Sequence, residues 1–459
     1  MILRYLSVVA VILSMGCADK NPTPIQDTPS VANKDRPPLQ VWLVDAPELE
    51  KEIGVRWQSA SDQPMEVKVM TASELTDGRT YSADVVVFPG SQIGDMVRHG
   101  VIGRLPSPLL KKKDSNRGEI VEEWPVRWRN LASFGSQWYG IPLGAPPLGA
   151  IALGTELHGL VEIEKSLIST KLSTTTSMIE WDKFLNSAES TLAKGGGGSS
   201  TIDEQISKLS AKEKGNLVDR FLWIAATTDA RRKGLFDLVK MQARMHQPEF
   251  VASAKILRRL ALAFPETIFD EPIEAWSKVV NHSSGKVMFA IGRPSPTYEI
   301  GGSPVASETA PIVVPLIWNA EHGLIASVGK NTRQSAVSSL FLSWLTSEEL
   351  REVLRPTSPR MELLPSQSDR NATRADYREF QNLNSRQHLN QGMDLSLRFA
   401  NGSQYRDLLA DYLAQVIQGK EQAETVMIRC SKAWNALTDK LDKDKQRLSI
   451  EQSLGFQKQ

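Results

Sequence analysis

Cysteine is nearly absent from this 459-residue chain, which has only Cys17 and Cys430. Two thiols so far apart supply neither a disulfide framework nor a metal-binding cysteine pair. Net charge is nearly absent too: 54 Lys and Arg against 53 Asp and Glu leave +1. No excess of positive charge draws the chain to nucleic acid or to an anionic lipid surface. The basic tract Lys111–Lys113 is answered by Glu119, Glu122 and Glu123 and reads as a solvated face. Histidine is scarce, with six residues and no pair at i, i+4, so the commonest zinc signature is missing. Gly195–Gly198 is followed by serines rather than by the lysine of a phosphate loop, and reads as a surface loop. In Gly90-Ser91-Gln92-Ile93-Gly94 the serine stands one place too early for a nucleophile elbow. The adjacent Glu348-Glu349 is accounted for by the start of a helix. No motif for covalent chemistry, metal or cofactor remains, and the chain is read as a non-enzyme.

Long apolar runs are also missing. The run from Leu6 to Met15, after the single early charge of Arg4, is about ten residues, half of the ~20 that span a bilayer. It fits a secretory signal peptide. Leu13-Ser14-Met15-Gly16-Cys17 resembles a bacterial lipobox, with the leucine one position further from the cysteine than in the usual pattern. The resemblance implies that Cys17 is lipidated and begins the mature chain, held at the bacterial cell envelope on its periplasmic or extracellular face. An ordinary cleaved signal with an incidental cysteine is the alternative. Residues 18–38 are polar and proline-dotted, the composition of a flexible tether.

The remaining length suits about two domains. Gln40-Val41-Trp42-Leu43-Val44 and Asp84-Val85-Val86-Val87-Phe88 read as buried strands, the second ended by Pro89-Gly90. Ile93, Met96 and Val97 then recur at helical spacing, so a strand–turn–helix unit is expected, and with it an α/β domain with a mostly parallel sheet. Ligands in such sheets sit beyond the carboxyl ends of strands, here Asp45-Ala46 and Gly90-Ser91. Asp45 is equally readable as a turn residue or a helix cap. Trp138 to Gly144 suits a crossing between lobes. Phe250, Ala254, Leu257, Ala261 and Phe264 form one helical stripe, with Lys255, Arg258 and Arg259 on the solvent side. Strands are expected at 285–291, 312–316 and 324–328. Val337, Leu340, Phe341, Trp344 and Leu345 form a further stripe, and Thr346 with Glu349 has capping-box spacing for the next helix. Tyr405 to Ile417 and Ala423 to Leu437 are two last stripes, the latter holding Cys430 as a core thiol. Asn281, Asn371 and Asn401 each open a glycosylation-type triplet, which beside a bacterial anchor is read as chance.

In order, Ala83-Asp84-Val85-Val86-Val87, Gly94 with Gly100-Val101-Ile102, Tyr139 to Gly144, Glu180-Trp181-Asp182-Lys183-Phe184, Pro248-Glu249-Phe250-Val251, Ser284 to Phe289 and Phe341 to Glu349 resemble the family 1 extracellular solute-binding proteins. The resemblance spans roughly residues 39–437. It implies a two-lobed periplasmic-binding-protein type II fold of the α/β class, its lobes joined by crossing strands, with a helical C-terminus. Lobe 1 would comprise 39–143 plus 317–356, and lobe 2 would comprise 144–316 plus 357–459. It implies a sugar or oligosaccharide ligand, ABC importer permease subunits as partners, and membrane contact through the lipid anchor alone. The ligand loops of such receptors fall on Asp45, Phe88, Gly90, Ser91, Gly144, Ala145, Arg293, Ser295, Trp318 and Met361, with Trp42 and Trp138 nearby. A sugar asks for side-chain hydrogen-bonders and aromatic plates. Gly154-Thr155 stands where such receptors often carry Tyr-Asn, and Arg293-Pro294-Ser295-Pro296 where an aromatic contact is often found. A non-transport binding or scaffold lipoprotein on the same fold is the second reading.

Overall fold

The computed structural model describes residues 36–75, 79–106, 130–144, 148–153, 181–194, 208–228, 230, 233–280, 288–292, 312–317, 323–347, 350, 353–354, 358 and 395–456. Cys17, the N-terminal apolar run and the tether up to residue 35 lie outside them. No helix among the described residues is long and apolar enough to cross a membrane.

The first sheet is built where the sequence concentrates Val, Leu and Ile. Strands β1 (Leu39–Val44), β2 (Met65–Met70) and β3 (Val85–Pro89) pair in parallel, with β1 between the other two. Helix α1 (Glu50–Ala60) joins β1 to β2 and buries Ile53 and Trp57, and the short α2 (Ile93–Arg98) follows β3. The chain then forms a hairpin, Ser133–Phe134 with Gln137–Trp138, and ends this lap with β4 (Ile141–Gly144). Four residues on, β5 (Leu148–Leu153) lies in a different sheet, between β6 (Met288–Gly292) and β7 (Ile312–Ile317). From β7 the chain returns to the first sheet as β8 (Leu324–Val328), so the first sheet runs β2-β1-β3-β8-β4. The expected mostly parallel sheet is therefore mixed: β8 is antiparallel to both β3 and β4. A returning strand has no βαβ crossover to impose parallel direction. The second sheet is antiparallel throughout.

Each sheet has its own core. The first cluster draws on β1, β3, β4 and β8 together with Phe341, Leu342 and Leu345 of α8 (Ser335–Leu345). Trp57 packs edge-on against Phe341 and Trp344, each at 5.0 Å between ring centroids. Asp84, nearly buried, accepts from Gln40 N at 3.0 Å, Thr332 Oγ1 at 2.6 Å and Gln334 Nε2 at 3.1 Å, tying β1 and β3 to the turn before α8. At the end of α8 the expected cap shifts by one residue. Thr346 Oγ1 donates back to Leu342 O at 2.9 Å, and Ser347 Oγ accepts from Leu350 N at 3.4 Å. The threonine hydroxyl is taken by a carbonyl of the helix it ends.

The second cluster gathers β5 and β6 with α3 (Trp181–Lys194), α4 (Ala211–Ala226), α5 (Pro248–Ala263), α9 (Gly402–Gln418) and α10 (Ala423–Lys440). Between α5 and α9 come α6 (Pro265–Ile268), α7 (Pro272–Val280) and α8, and α11 (Lys443–Ser453) ends the described chain. The α5 stripe buries Phe250, Ala254, Leu257 and Ala261, while Arg259 reaches out to Asp182 and Glu189. Cys430 is fully buried, and burial pushes its thiol well above the ordinary range.

Candidate functional site

A cleft of about 1140 Å³ lies between the two lobes. Its first wall is made at the carboxyl ends of β1 and β3. Asp45 ends β1 at φ 47°, and its Oδ2 accepts from Gln92 Nε2 and from Ala72 N at 3.4 Å. One carboxylate thus holds the turns after β1, β2 and β3 in register, which is the turn role read for Asp45. Gln92 closes the 3₁₀ turn Gly90–Gln92, which is pinned from behind by Gly90 N to Gly323 O at 2.7 Å.

The second wall comes from the other core. Gly215, Asn216 and Asp219 on α4, Glu271 and Pro272 at α7, and Asn401 to Gln404 with Arg406 and Asp407 at the start of α9 line it. Arg220, fully buried, holds α4 to the segment before α7 by donating to Thr267 O at 3.0 Å and Asp270 O at 2.7 Å. Asn216 Nδ2 adds a bond to Asp270 O at 3.1 Å. Arg406 pairs with Asp219 and donates to Gly215 O at 3.0 Å, joining α9 to α4. With a further bond from Arg220 Nη1 to Asn216 O at 3.3 Å, the buried guanidinium has carbonyl acceptors on two segments and braces this wall.

Where the walls meet, Asp95 of α2 accepts from Asn401 N and, at 3.2 Å, from Ser403 Oγ. Burial pushes its carboxyl above the ordinary carboxylate range, against those two hydrogen bonds and the positive fields of His99 and Arg98. Among the described residues, Gln92 Oε1 and Asn401 Nδ2 have no hydrogen-bond partner. Donation from Gln92 Nε2 to Asp45 orients that amide and leaves its Oε1 as the free acceptor. Unused polar capacity in a cleft wall suits a ligand that carries both donors and acceptors.

Of the residues expected at the ligand loops, Asp45 and Ser91 line the cleft. Gly90 lies just behind it, buried, its carbonyl accepting from Arg398 Nε at 3.2 Å. Phe88 and Gly144 are buried in the first sheet and do not line the cleft. Ala145, Arg293, Ser295, Trp318 and Met361 lie outside the described residues. Trp42 is a core residue packed edge-on to Tyr81 at 5.8 Å, and Trp138 is half-buried in the hairpin. No described aromatic ring lines the cleft, apart from the imidazole of His99. The sequence reading missed Gln92, which directly follows the Gly90-Ser91 turn it had singled out, and Asp95, three residues further on in α2. It also missed Asn216, Asp219 and Arg406, and it set aside Asn401-Gly402-Ser403 as a chance triplet. Among the described residues no group of three His, Cys, Asp or Glu could hold a metal ion. A second cavity of about 440 Å³, with Val97, Tyr139, Val328 and Lys330, takes residues from the first lobe alone.

Two sheets with separate cores, joined by strands that cross between them and enclosing a cleft, define a two-lobed periplasmic binding protein fold. The fold is similar to that of an ABC transporter solute-binding protein of Thermotoga lettingae TMO bound with α-D-tagatose (TM-score 0.51, 14% identity, 87% of this chain and 99% of that one). It is similar to maltose-bound MalE3 of T. maritima (TM-score 0.51, 13% identity, 87% and 99%). It is also similar to the GacH receptor of Streptomyces glaucescens GLA.O, a structure determined unliganded and with acarbose (TM-score 0.50, 14% identity, 87% and 98%). No protein-family model matches the chain, and no curated protein matches it by sequence.

Proposed function

We propose that this chain is an extracytoplasmic solute-binding protein, anchored through a lipid on Cys17, that delivers a carbohydrate or polyol to an ABC importer and performs no covalent chemistry. The observation that carries the proposal is the cleft: about 1140 Å³, walled by residues of both cores and rich in side-chain donors and acceptors. That volume exceeds the ordinary range for a small-ligand pocket, which favours an open arrangement or an oligosaccharide. The structures of similar fold hold α-D-tagatose, maltose and acarbose. We further infer that lobe 1 comprises 39–143 plus 317–356 and lobe 2 comprises 144–316 plus 357–459.

A second reading, a binding or scaffold lipoprotein that serves no importer, draws on the absence of a described Trp, Tyr or Phe along the cleft. A thermal-shift screen separates the two. Sugars, oligosaccharides and polyols are compared with amino acids and small peptides. A ligand at about 100 times its Kd adds ~2.7 kcal/mol to the folded state. A response confined to carbohydrate supports the proposal. A response to non-carbohydrates alone, or to nothing, moves the weight to the second reading.

A further inference from the structure

Asp95 of α2 and Asn401 to Ser403 at the start of α9 line the cleft side by side, and there the backbones of the two lobes touch. A Cβ on Gly94 would lie 2.4–2.5 Å from backbone atoms of Arg398, Phe399 and Ala400. Gly94 N donates to Arg398 O at 3.1 Å. Asp95, the next residue, is 5% exposed, and its two carboxylate oxygens take Asn401 N–H and the Ser403 hydroxyl. Asn401 is the residue that should cap α9, yet it stands at φ 62° and makes no side-chain cap bond. The first turn of a helix needs acceptors for its free amides and favours negative charge nearby. For this 17-residue helix the carboxylate comes from the other lobe. Arg398, 1% exposed, returns the tie with Nε to Gly90 O and Nη2 to Leu131 O.

We propose that Asp95 is a positioning residue for solute binding: by capping α9 from across the lobe boundary it makes the α2–α9 junction the pivot about which the cleft closes. The proposal rests on reading the cleft as the solute site. Backbone packed on backbone, with no side chain between, can rotate but cannot part without breaking these hydrogen bonds. The capped turn carries Ser403 and Arg406 of the second wall, and the turn three residues before Asp95 carries Gln92 of the first. The clasp therefore sets the distance between the two walls.

Distance measurement between spin labels tests this without any solute. Val55 on α1 and Val239 in the second lobe are exposed and take labels as Val55→Cys and Val239→Cys in the full chain carrying Cys17→Ser. The buried Cys430 stays unlabelled. Asp95→Ala is expected to shift or widen the distance distribution. Ser403→Ala, which removes one of the two contacts, is expected to do the same to a smaller extent. If Asp95→Ala does not fold, Ser403→Ala decides. Distributions that match the parent's in the folded variants would overturn the proposal, even with a lowered melting point, because Asp95 would then be a local cap only. A chain that answers to no carbohydrate but shows the shift would sink the functional reading and leave the pivot standing.

Discussion

Replacing Phe289 by alanine should loosen one lobe and leave the other intact. Phe289 lies on β6 with its ring fully buried, 5.0 Å from Phe184, 5.5 Å from Phe264 and 6.4 Å from Trp181 between centroids. Truncating a buried phenylalanine costs about 3–5 kcal/mol through lost transfer energy and the cavity left behind. Aromatic pairs of this kind add ~0.5–1.5 kcal/mol beyond burial. Because β6 is an edge strand among the described residues, paired with β5 alone there, some relaxation is available, and about 4 kcal/mol is the central figure. Amide hydrogen exchange reads this element by element. Four kcal/mol is roughly a thousandfold in an opening equilibrium, so exchange should accelerate by about that factor in α3, α5 and β6. Strands β1 and β3 should exchange as in the parent. Phe88→Ala in the first core should give the mirror image, and this is also where the buried placement of Phe88 is tested. Equal acceleration in both cores by either variant would refute the two-core account. So would a change below about tenfold in the targeted core, which is ~1.4 kcal/mol.

Other expectations are as direct. A Cβ on Gly402 would lie 1.8 Å from Leu397 O, so Gly402→Ala must displace backbone and should lower stability by at least ~1–3 kcal/mol, read as a lower denaturation midpoint. Burial pushes the Tyr405 phenol up to about 12, from 10.0. Its raised folded value means that its contribution is complete below pH 10 and is lost as pH rises toward 12, so the second lobe should weaken over that window. Tyr405→Phe should flatten that slope in a pH series of melting points, at the cost of the 2.8 Å bond to Thr438 Oγ1. Cys17→Ser should move the chain from the membrane fraction to the soluble fraction or leave its signal uncut. Normal processing and membrane association in that variant would contradict the lipid anchor.

The scaffold was legible where apolar patterning is strong. Val85, Val86 and Val87 announce β3, and the stripe Phe250, Ala254, Leu257 and Ala261 fixes the inner face of α5. The cleft was legible only in part. Phe88 sits near the carboxyl end of a strand, where ligands gather, but β3 is central in its sheet and the Phe88 ring is fully buried in the first core, so of β3 it is Pro89, one residue on, that lines the cleft. Asn401 looked incidental because its partner, Asp95, lies 306 positions away. Asn216 and Arg406 belong to no sequence motif, and the packing of α4 on α9 turns them to one wall. Contacts of such range leave no local pattern. The direction of β8 was likewise set by a crossing that no sequence period encodes.

The most direct test of the central claim is small-angle scattering on the full chain carrying Cys17→Ser, as the carbohydrate that responds in the thermal screen is titrated in. The account predicts that the radius of gyration falls as the lobes close, with a midpoint matching the calorimetric Kd, and that Asn216→Ala and Gln92→Ala, on opposite walls, each weaken that Kd. Saturable binding with an unchanged radius, and with both variants binding as tightly as the parent, would place the ligand outside the cleft and contradict the account.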